Sequence, residues 1–196
     1  MKNFITFEGL DGSGKTTQAN LLADYFEKNG ENVLFVREPG STPLGEILRD
    51  AVLKQQDIAI SPQAEALIFA AARAQLTENL KENYGKKTII CDRFLDSSIA
   101  YQHGGRGLPL EFVKQINIFA DIKPDITFFI DIDLETSLKR IQDHDRLDLE
   151  GPKFYEKVYK IYKNLISEHK KRIVVIDGNR TIEEIHEEIV SYSKQQ

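Results

Sequence analysis

The chain has 196 residues, 41% of them hydrophobic, which is enough for one ordinary domain with a full core. Its net charge of −5 argues against binding nucleic acid through a basic surface, and its single cysteine excludes an internal disulfide and a cysteine-built metal site. The first residues do not form a signal peptide and no stretch approaches 18 apolar residues, so we expect a cytoplasmic protein with no membrane or nucleic-acid partner.

Five short apolar runs rich in β-branched residues alternate with longer segments of helical spacing. The runs are Phe4–Phe7, Asn32–Val36, Lys87–Cys91, Asp125–Ile130 and Arg172–Ile176. Their nearly continuous hydrophobicity is typical of strands buried on both faces of a sheet. The pattern predicts an α/β fold of three layers, with a parallel sheet of about five strands and helices on both faces. We expect residues 1–196 to form a single domain.

Three of the intervening segments carry clear helical signals. A helix is expected over Thr16–Lys28, and another over Thr181–Val190, where Thr181 and Glu184 form a capping box. The helix expected over Ala64–Leu80 carries an apolar stripe on one side, made of Ala64, Leu67, Ile68, Ala71 and Ala72.

The segment between the first strand and the first helix carries a glycine-rich motif that predicts a phosphate-binding loop. Gly9, Gly14, Lys15 and Thr16 match the pattern G-x-x-x-x-G-K-[ST]. Glycines let successive backbone N–H groups converge on phosphate oxygens at a helix N-terminus. Lys15 supplies a point charge to the outer phosphates, and the Thr16 hydroxyl is a hard ligand for Mg²⁺. We predict a nucleoside triphosphate site made of Gly9, Leu10, Asp11, Gly12, Ser13, Gly14, Lys15, Thr16 and Thr17.

Such loops serve GTPase switches, ATPase motors and small-molecule kinases alike. The chain lacks the N-K-x-D element with which a GTPase reads guanine. Motors normally belong to larger chains or oligomers. A compact kinase with a second pocket for a phosphate acceptor therefore fits best.

Three later stretches supply residues for that second pocket. The segment Arg37–Arg49 leaves the second strand as REPG, the segment Ala66–Arg73 reads ALIFAAAR, and Cys91–Gln102 reads CDRFLDSSIAYQ. The last stretch begins at the carboxyl end of the third strand, where parallel sheets bind ligands. With a later DRLD at 145–148, these motifs occur in the order and spacing of the thymidylate kinase family. The chain resembles that family, in its bacterial form, over essentially its whole length.

The resemblance implies an activity and a state of assembly. It implies a P-loop nucleotide kinase that transfers a phosphoryl group from ATP to dTMP with Mg²⁺, yields dTDP for thymidine nucleotide biosynthesis, and works as a homodimer. Catalysis would rest on Lys15, Arg93 and a lid arginine. Asp92 would support Arg93 or order water around Mg²⁺ held by Thr16.

The acceptor site is implied residue by residue. Arg93 would hold the dTMP phosphate, Phe69 would stack on the pyrimidine, and Arg73 would donate to the thymine 4-oxo group, where cytosine carries a donor. Asp11 would reach the 3′-hydroxyl and Tyr101 would crowd a 2′-hydroxyl. The rest of the site would be Glu38, Arg49, Ser98 and Gln102.

A polar segment over about 142–152 resembles the mobile lid that excludes water from nucleotide kinases. Arg146 is the first choice for the lid arginine and Arg140 the second. The sequence departs from the family at Ser41, where a second glycine is common after REPG. It also lacks a basic residue inside the phosphate loop before Lys15.

Other interpretations stay open at this point. A kinase for another nucleotide or nucleoside would share most of these motifs, and a non-enzymatic nucleotide switch would share the loop. Among single residues, Phe69 also suits a hydrophobic core, Asp92 and Arg93 suit a surface ion pair, and Arg49 and Gln102 suit a solvated surface.

Overall fold

The computed structural model describes residues 4–55, 57–140 and 145–194. Five parallel strands form one sheet in the order β2-β3-β1-β4-β5. The strands are β1 (Phe4–Glu8), β2 (Val33–Arg37), β3 (Thr88–Asp92), β4 (Ile126–Asp131) and β5 (Ile173–Asp177). This confirms the predicted α/β fold with its five-stranded parallel sheet.

Helices cover both faces of the sheet. They are α1 (Lys15–Lys28), α2 (Pro43–Leu53), α3 (Pro62–Asn83), α4 (Leu95–Ser98), α5 (Leu110–Gln115), α6 (Leu134–Arg140), α7 (Pro152–Glu168) and α8 (Ile182–Lys194). A π-helical segment, Ile99–Gly105, continues α4, and a 3₁₀ turn spans Asp148–Glu150. The core on one face joins α1 and α8 to the sheet, and α3 and α7 pack on the other. The expected capping box forms, because Thr181 Oγ1 accepts from Glu184 N at 3.2 Å and Glu184 Oε2 accepts from Thr181 N at 3.0 Å.

Each strand ends one residue later than its apolar run. The final residues are polar and continue the pairing, as Arg37 does opposite Asp92 and Asp131 does opposite Asp177. A hydrophobic pattern stops at the last apolar residue, whereas backbone hydrogen bonding continues past it. The consequence is a row of polar side chains along the carboxyl edge of the sheet, where the phosphate loop also lies.

The apolar stripe expected on α3 coincides only in part with its buried face, since Ala72 is buried and Ile68 packs against the core. Leu67 is 51% exposed and Ala71 is also exposed, while Phe69 and Ala70 are buried. The buried face includes two charged residues, Glu65 and Arg73, and each has an ion-pair partner. Compensated charges can be buried, so a pattern built on apolar residues alone does not delimit the buried face of this helix.

No helix in the described ranges is long and apolar enough to cross a lipid bilayer. The cytoplasmic location stays a prediction.

Candidate active site

The phosphate loop leaves the central strand β1 and enters α1. Gly9, Gly12 and Gly14 have φ angles of 149°, 73° and 91°, a region that residues with a Cβ rarely adopt. A Cβ on Gly9 would lie 2.8 Å from Ile130 O, and one on Gly12 would lie 2.9 Å from Ser137 O. The loop is therefore packed closely between β4 and α6, and glycine is required for both its curvature and its contacts.

Lys15 and Thr16 open α1 at the end of this loop. The Lys15 ammonium is buried and makes two long hydrogen bonds of 3.3 Å, to Leu10 O and to Asp11 Oδ1. Burial and the nearby Arg93 lower the pKa of Lys15, against the pull of Asp11. Because both contacts lie within the loop, the ammonium stays beside it, where it can contact a bound phosphate.

Two oxygen donors suited to Mg²⁺ lie together beside the loop. Thr16 Oγ1 donates a hydrogen bond of 2.5 Å to Asp92 Oδ2 at the end of β3. Asp92 Oδ1 is buried and has no hydrogen-bond partner among the residues that the structure describes. Cages of three or more His, Cys, Asp or Glu side chains are absent from those residues. A small number of hard oxygen donors suits Mg²⁺, which usually takes one or two protein ligands and completes its coordination sphere with phosphate oxygens and water.

Arg93 lies where the phosphate loop meets the acceptor side. Its backbone has a φ of 68° and its N–H donates to Phe7 O at 2.9 Å. Its guanidinium forms a close ion pair with Asp11 and donates to Gly9 O at 3.2 Å and Ser97 Oγ at 3.1 Å. Arg93 is thus held by both the loop and the segment after β3, so it is not a surface ion-pair residue.

The Asp11 carboxylate is charged at any physiological pH. Burial opposes its ionisation, but Arg93 and Lys15 hold the pKa of Asp11 far below its usual range. Tyr101 adds a hydrogen bond of 2.8 Å from its hydroxyl to Asp11 Oδ2. Burial in turn raises the pKa of Tyr101, so its phenol stays neutral and able to donate.

One cavity brings the acceptor residues together. It encloses about 600 Å³ of empty space, including its open mouth, which is within the range of small-molecule sites. All nine residues that the sequence assigns to the acceptor line it: Asp11, Glu38, Arg49, Phe69, Arg73, Arg93, Ser98, Tyr101 and Gln102. Five further lining residues were missed: Pro39, Leu53, Ser97, Asp145 and Leu147. Pro39, Ser97, Asp145 and Leu147 belong to the recognised motifs, whereas no pattern marked Leu53.

Arg73 is held by four hydrogen bonds in this cavity. It is buried and donates to Glu38 Oε2 at 2.6 Å, Ser98 Oγ at 2.8 Å and Asn117 Oδ1 at 2.7 Å. Its longest hydrogen bond, 3.3 Å, goes from Nη2 to Phe94 O. The other oxygen of the pair, Glu38 Oε1, is buried without a partner in the described part of the chain. Burial raises the pKa of Glu38, and Arg73 opposes that rise.

The remaining acceptor residues differ in how they are held. Gln102 is buried and its Nε2 donates to Glu65 Oε1 at 3.4 Å, so it does not face solvent. Arg49 is half-buried and donates to Pro39 O at 2.9 Å. Ser41 adopts a left-handed φ of 63°, which explains why a glycine would suit this turn.

The two lid arginines lie on different sides of the site. Residues 142–144 of the expected lid fall outside the described residues. Arg146 Nη2 pairs with Glu65 Oε2 at 2.5 Å, and its Nε donates to Val52 O at 2.9 Å, on the acceptor side. Arg140 instead lies beside the phosphate loop, because a Cβ on Gly12 would be 2.9 Å from the Arg140 Cβ.

Known proteins of one family are similar to this chain over nearly its full length. A family model described as "Thymidylate kinase" matches residues 7–189. The thymidylate kinase of Fervidobacterium nodosum is 46% identical, in an alignment that covers 95% of this chain and 96% of the relative. The thymidylate kinase of Kosmotoga olearia is 41% identical, with 95% of this chain and 93% of the relative covered. A crystal structure of thymidylate kinase from Ehrlichia chaffeensis is similar with a TM-score of 0.79 and 36% identity, covering 98% of each chain.

Proposed function

Because this chain belongs to the thymidylate kinase family and phosphorylates dTMP to dTDP, we propose that ATP with Mg²⁺ binds at its phosphate loop and dTMP in the adjoining cavity. One observation carries the proposal. The nine residues assigned to the acceptor line a single cavity, and two of them, Asp11 and Arg93, also contact the phosphate loop or Lys15. Donor and acceptor sites therefore meet at Arg93, within one kinase domain.

On the donor side, the loop glycines and Lys15 bind the phosphates of ATP. Thr16 and Asp92 hold Mg²⁺, with the unpartnered Asp92 Oδ1 as the available oxygen. Held there, Mg²⁺ would supply positive charge that compensates the negative charge developing during phosphoryl transfer. The work of the chain is alignment and charge compensation, since phosphoryl transfer has a loose transition state.

On the acceptor side, Arg93 binds the phosphate of dTMP, with Arg49 as the second cation of the cavity. Arg93 is partly buried and pairs with Asp11, which keeps its guanidinium aligned before substrate arrives. Asp11 and Tyr101 lie where the sugar would be, bonded to each other at 2.8 Å. Their contact supports the roles assigned to them at the 3′-hydroxyl and the 2′ position.

The base is read by Phe69, Arg73 and Glu38. Phe69 supplies a ring face on the same helix as Arg73. The long bond from Arg73 Nη2 to Phe94 O is the one that a thymine 4-oxo group can most readily replace. The unpartnered Glu38 Oε1 suits a donor, either the thymine N3–H or a water that bridges to it.

For the charge on the transferring phosphoryl group we place Arg140 ahead of Arg146. Arg140 lies against the phosphate loop, whereas the Arg146 guanidinium is paired with Glu65 on the acceptor side. Arg146 then anchors the lid. Ser97 and Ser98 complete the wall behind the acceptor phosphate and base.

A homodimer is also part of the proposal. Helices α2 and α3 pack against each other, and both leave large apolar side chains exposed. Ile47 is 67% exposed, Leu67 is 51% exposed and Leu44 is 45% exposed. Sedimentation of the wild type and of Ile47→Lys, with Ile182→Lys on α8 as the matched control, tests it. A dimer disrupted only by I47K supports this face, and a monomeric wild type excludes it.

A coupled assay of ADP release tests the activity itself. It uses ATP and Mg²⁺ with dTMP, dUMP, dCMP, dGMP, the ribose analogue of dTMP, and thymidine. We expect the highest kcat/KM for dTMP. Faster turnover with another acceptor would indicate a different nucleotide kinase, and ATP binding without turnover on any acceptor would indicate a nucleotide switch.

A further inference from the structure

A fully buried carboxylate lies directly behind the site. Glu8 ends β1, one residue before the phosphate loop, and is 1% exposed. Its Oε1 accepts from Phe94 N at 2.8 Å and from Ser97 N at 3.3 Å. Its Oε2 accepts from Ser97 Oγ at 2.5 Å and from Tyr162 Oη at 2.8 Å. Glu8 is the acceptor in all of these hydrogen bonds, which is the pattern of an ionised carboxylate.

These contacts fix two residues that follow the phosphate-binding arginine. Phe94 follows Arg93 directly, and Ser97 Oγ, which donates to Glu8, also accepts from Arg93 Nη1 at 3.1 Å. Arg93 itself has a φ of 68°, a conformation that a residue with a side chain keeps only when its neighbours hold it. Its backbone is held by Phe7 on one side and by the Glu8-bound segment on the other.

We propose that Glu8 is a positioning residue for phosphoryl transfer, whose ionised carboxylate holds Arg93 in its productive orientation through Phe94 and Ser97. The proposal rests on the role of Arg93 in the proposed function. Phe94 O also accepts from Arg73, so the same short segment connects Glu8 to the base-reading side of the cavity.

The charge on Glu8 is sensitive to pH. Burial, and then the neighbouring Asp96, raise the pKa of Glu8 to about 7, against Arg93 and the hydrogen bonds from Ser97 and Phe94. Asp96 is itself paired with Arg172 at 2.7 Å, and Tyr162 faces Glu8 from α7. Protonation turns Oε2 from an acceptor into a donor, so Oε2 no longer accepts from both Ser97 Oγ and Tyr162 Oη, and the hydrogen bond that connects Glu8 to the Arg93 segment is weakened or reversed. The neutral form therefore loosens Arg93.

The test compares wild type, Glu8→Gln and Tyr162→Phe in steady-state kinetics between about pH 6 and pH 8.5. The amide introduced by E8Q has the shape of the carboxylate and no charge. Y162F removes one donor to Glu8 and the 3.0 Å contact between Tyr162 Oη and Ser97 Oγ, while the Ser97 hydroxyl that joins Glu8 to Arg93 remains. We expect E8Q to lower kcat by about 10- to 100-fold at pH 8 while KM for ATP changes by less than about twofold. Y162F should stay within about threefold of wild-type kcat at pH 8, with the pH midpoint moved upward because the charged carboxylate loses one hydrogen bond.

The ratio of wild-type to E8Q kcat isolates the titration of Glu8. The phosphate of dTMP has a second pKa of about 6, and the ratio cancels it because both enzymes use the same substrate. The ratio should rise with pH, with a midpoint near 7. A ratio that is constant over this range would show a merely structural role, and wild-type kcat in E8Q would overturn the proposal.

Two further variants complete the test. If E8Q does not fold, Ser97→Ala removes only the hydroxyl between Glu8 and Arg93, and wild-type kcat in S97A would exclude this connection. Arg93→Ala separates the two proposals. An active R93A contradicts the role of Arg93 in the proposed function, whereas an inactive R93A beside a fully active E8Q contradicts only the role of Glu8.

Discussion

Arg73 combines two tasks that put different demands on one side chain. Its ion pair with Glu38 is buried, with side-chain exposures of 3% and 4%, so it contributes to the packing of the site. Reading a base requires that a donor be released from Phe94 O or shared with the ligand. A substitution of Arg73 should therefore change both the stability of the enzyme and its selectivity. Only the ratio of kcat/KM values for two substrates separates these effects.

We predict that Arg73→Gln relaxes the selection of dTMP over dCMP by about 10- to 100-fold in the ratio of kcat/KM values. The 4-oxo group of thymine accepts from a guanidinium and the 4-amino group of cytosine does not, so loss of the guanidinium removes the difference. Acceptor competition measures the ratio, which does not depend on the fraction of folded enzyme. An unchanged ratio would refute the base-reading role of Arg73.

Lys15 makes few contacts that the fold needs. Its two hydrogen bonds are 3.3 Å long and both lie within the loop. We predict that Lys15→Ala lowers kcat by about 100- to 1,000-fold, because a cation on the transferring oxygens is lost, with little change in melting temperature. Lys28→Ala, at the other end of the same helix, is the control. More than about a tenth of wild-type activity in K15A would contradict the mechanism.

At the scale of elements, the strands could be predicted because a buried parallel sheet leaves a strong hydrophobic pattern. The phosphate loop could be predicted because its chemistry demands particular residues in a particular order. The buried face of α3 could not, since Glu65 and Arg73 are buried only through partners from distant segments, Arg106, Arg146 and Glu38. The sequence carries no local signal of such pairs.

The segment that follows residue 144 is attached to α3 through Glu65. This carboxylate is fully buried and accepts from Arg146 at 2.5 Å and from Arg106 at 2.8 Å. Arg106 also pairs with Glu150. Since Asp145 and Leu147 line the acceptor cavity, this attachment completes the wall of that cavity.

Arg146→Ala and Arg140→Ala should therefore change the kinetic constants of different substrates. We predict that R146A raises KM for dTMP by about tenfold, with KM for ATP within about twofold, because it releases the cavity wall. R140A should lower kcat or raise KM for ATP and leave KM for dTMP nearly unchanged. Bisubstrate kinetics of the pair measure all four constants. The opposite pattern would restore Arg146 as the cation at the phosphoryl group.

At the scale of the whole molecule, the site lies along the carboxyl edge of β3 and β1, where Asp92 and Glu8 end their strands. Asp92 could be assigned from a motif, whereas Glu8 could not, because its role depends on Phe94 and Tyr162 from segments far along the chain. The ionised Glu8 that activity needs is also a charge buried in the core. Function and stability therefore favour opposite protonation states of the same group.

This opposition predicts how stability changes with pH. The pKa of Glu8 is raised in the folded chain to about 7. The stability that the protonated side chain contributes is therefore fully present below the unfolded-state pKa of Glu8 and is lost as pH rises through 7. Between about pH 5.5 and pH 8 the wild type should lose about 2 kcal/mol of unfolding free energy relative to E8Q. Asp148, with a pKa raised to about 6 by burial, titrates in both proteins and cancels in the difference. Urea denaturation of both proteins at the two pH values measures the difference in unfolding free energy between wild type and E8Q. If that difference does not change with pH, Glu8 keeps one protonation state throughout this range.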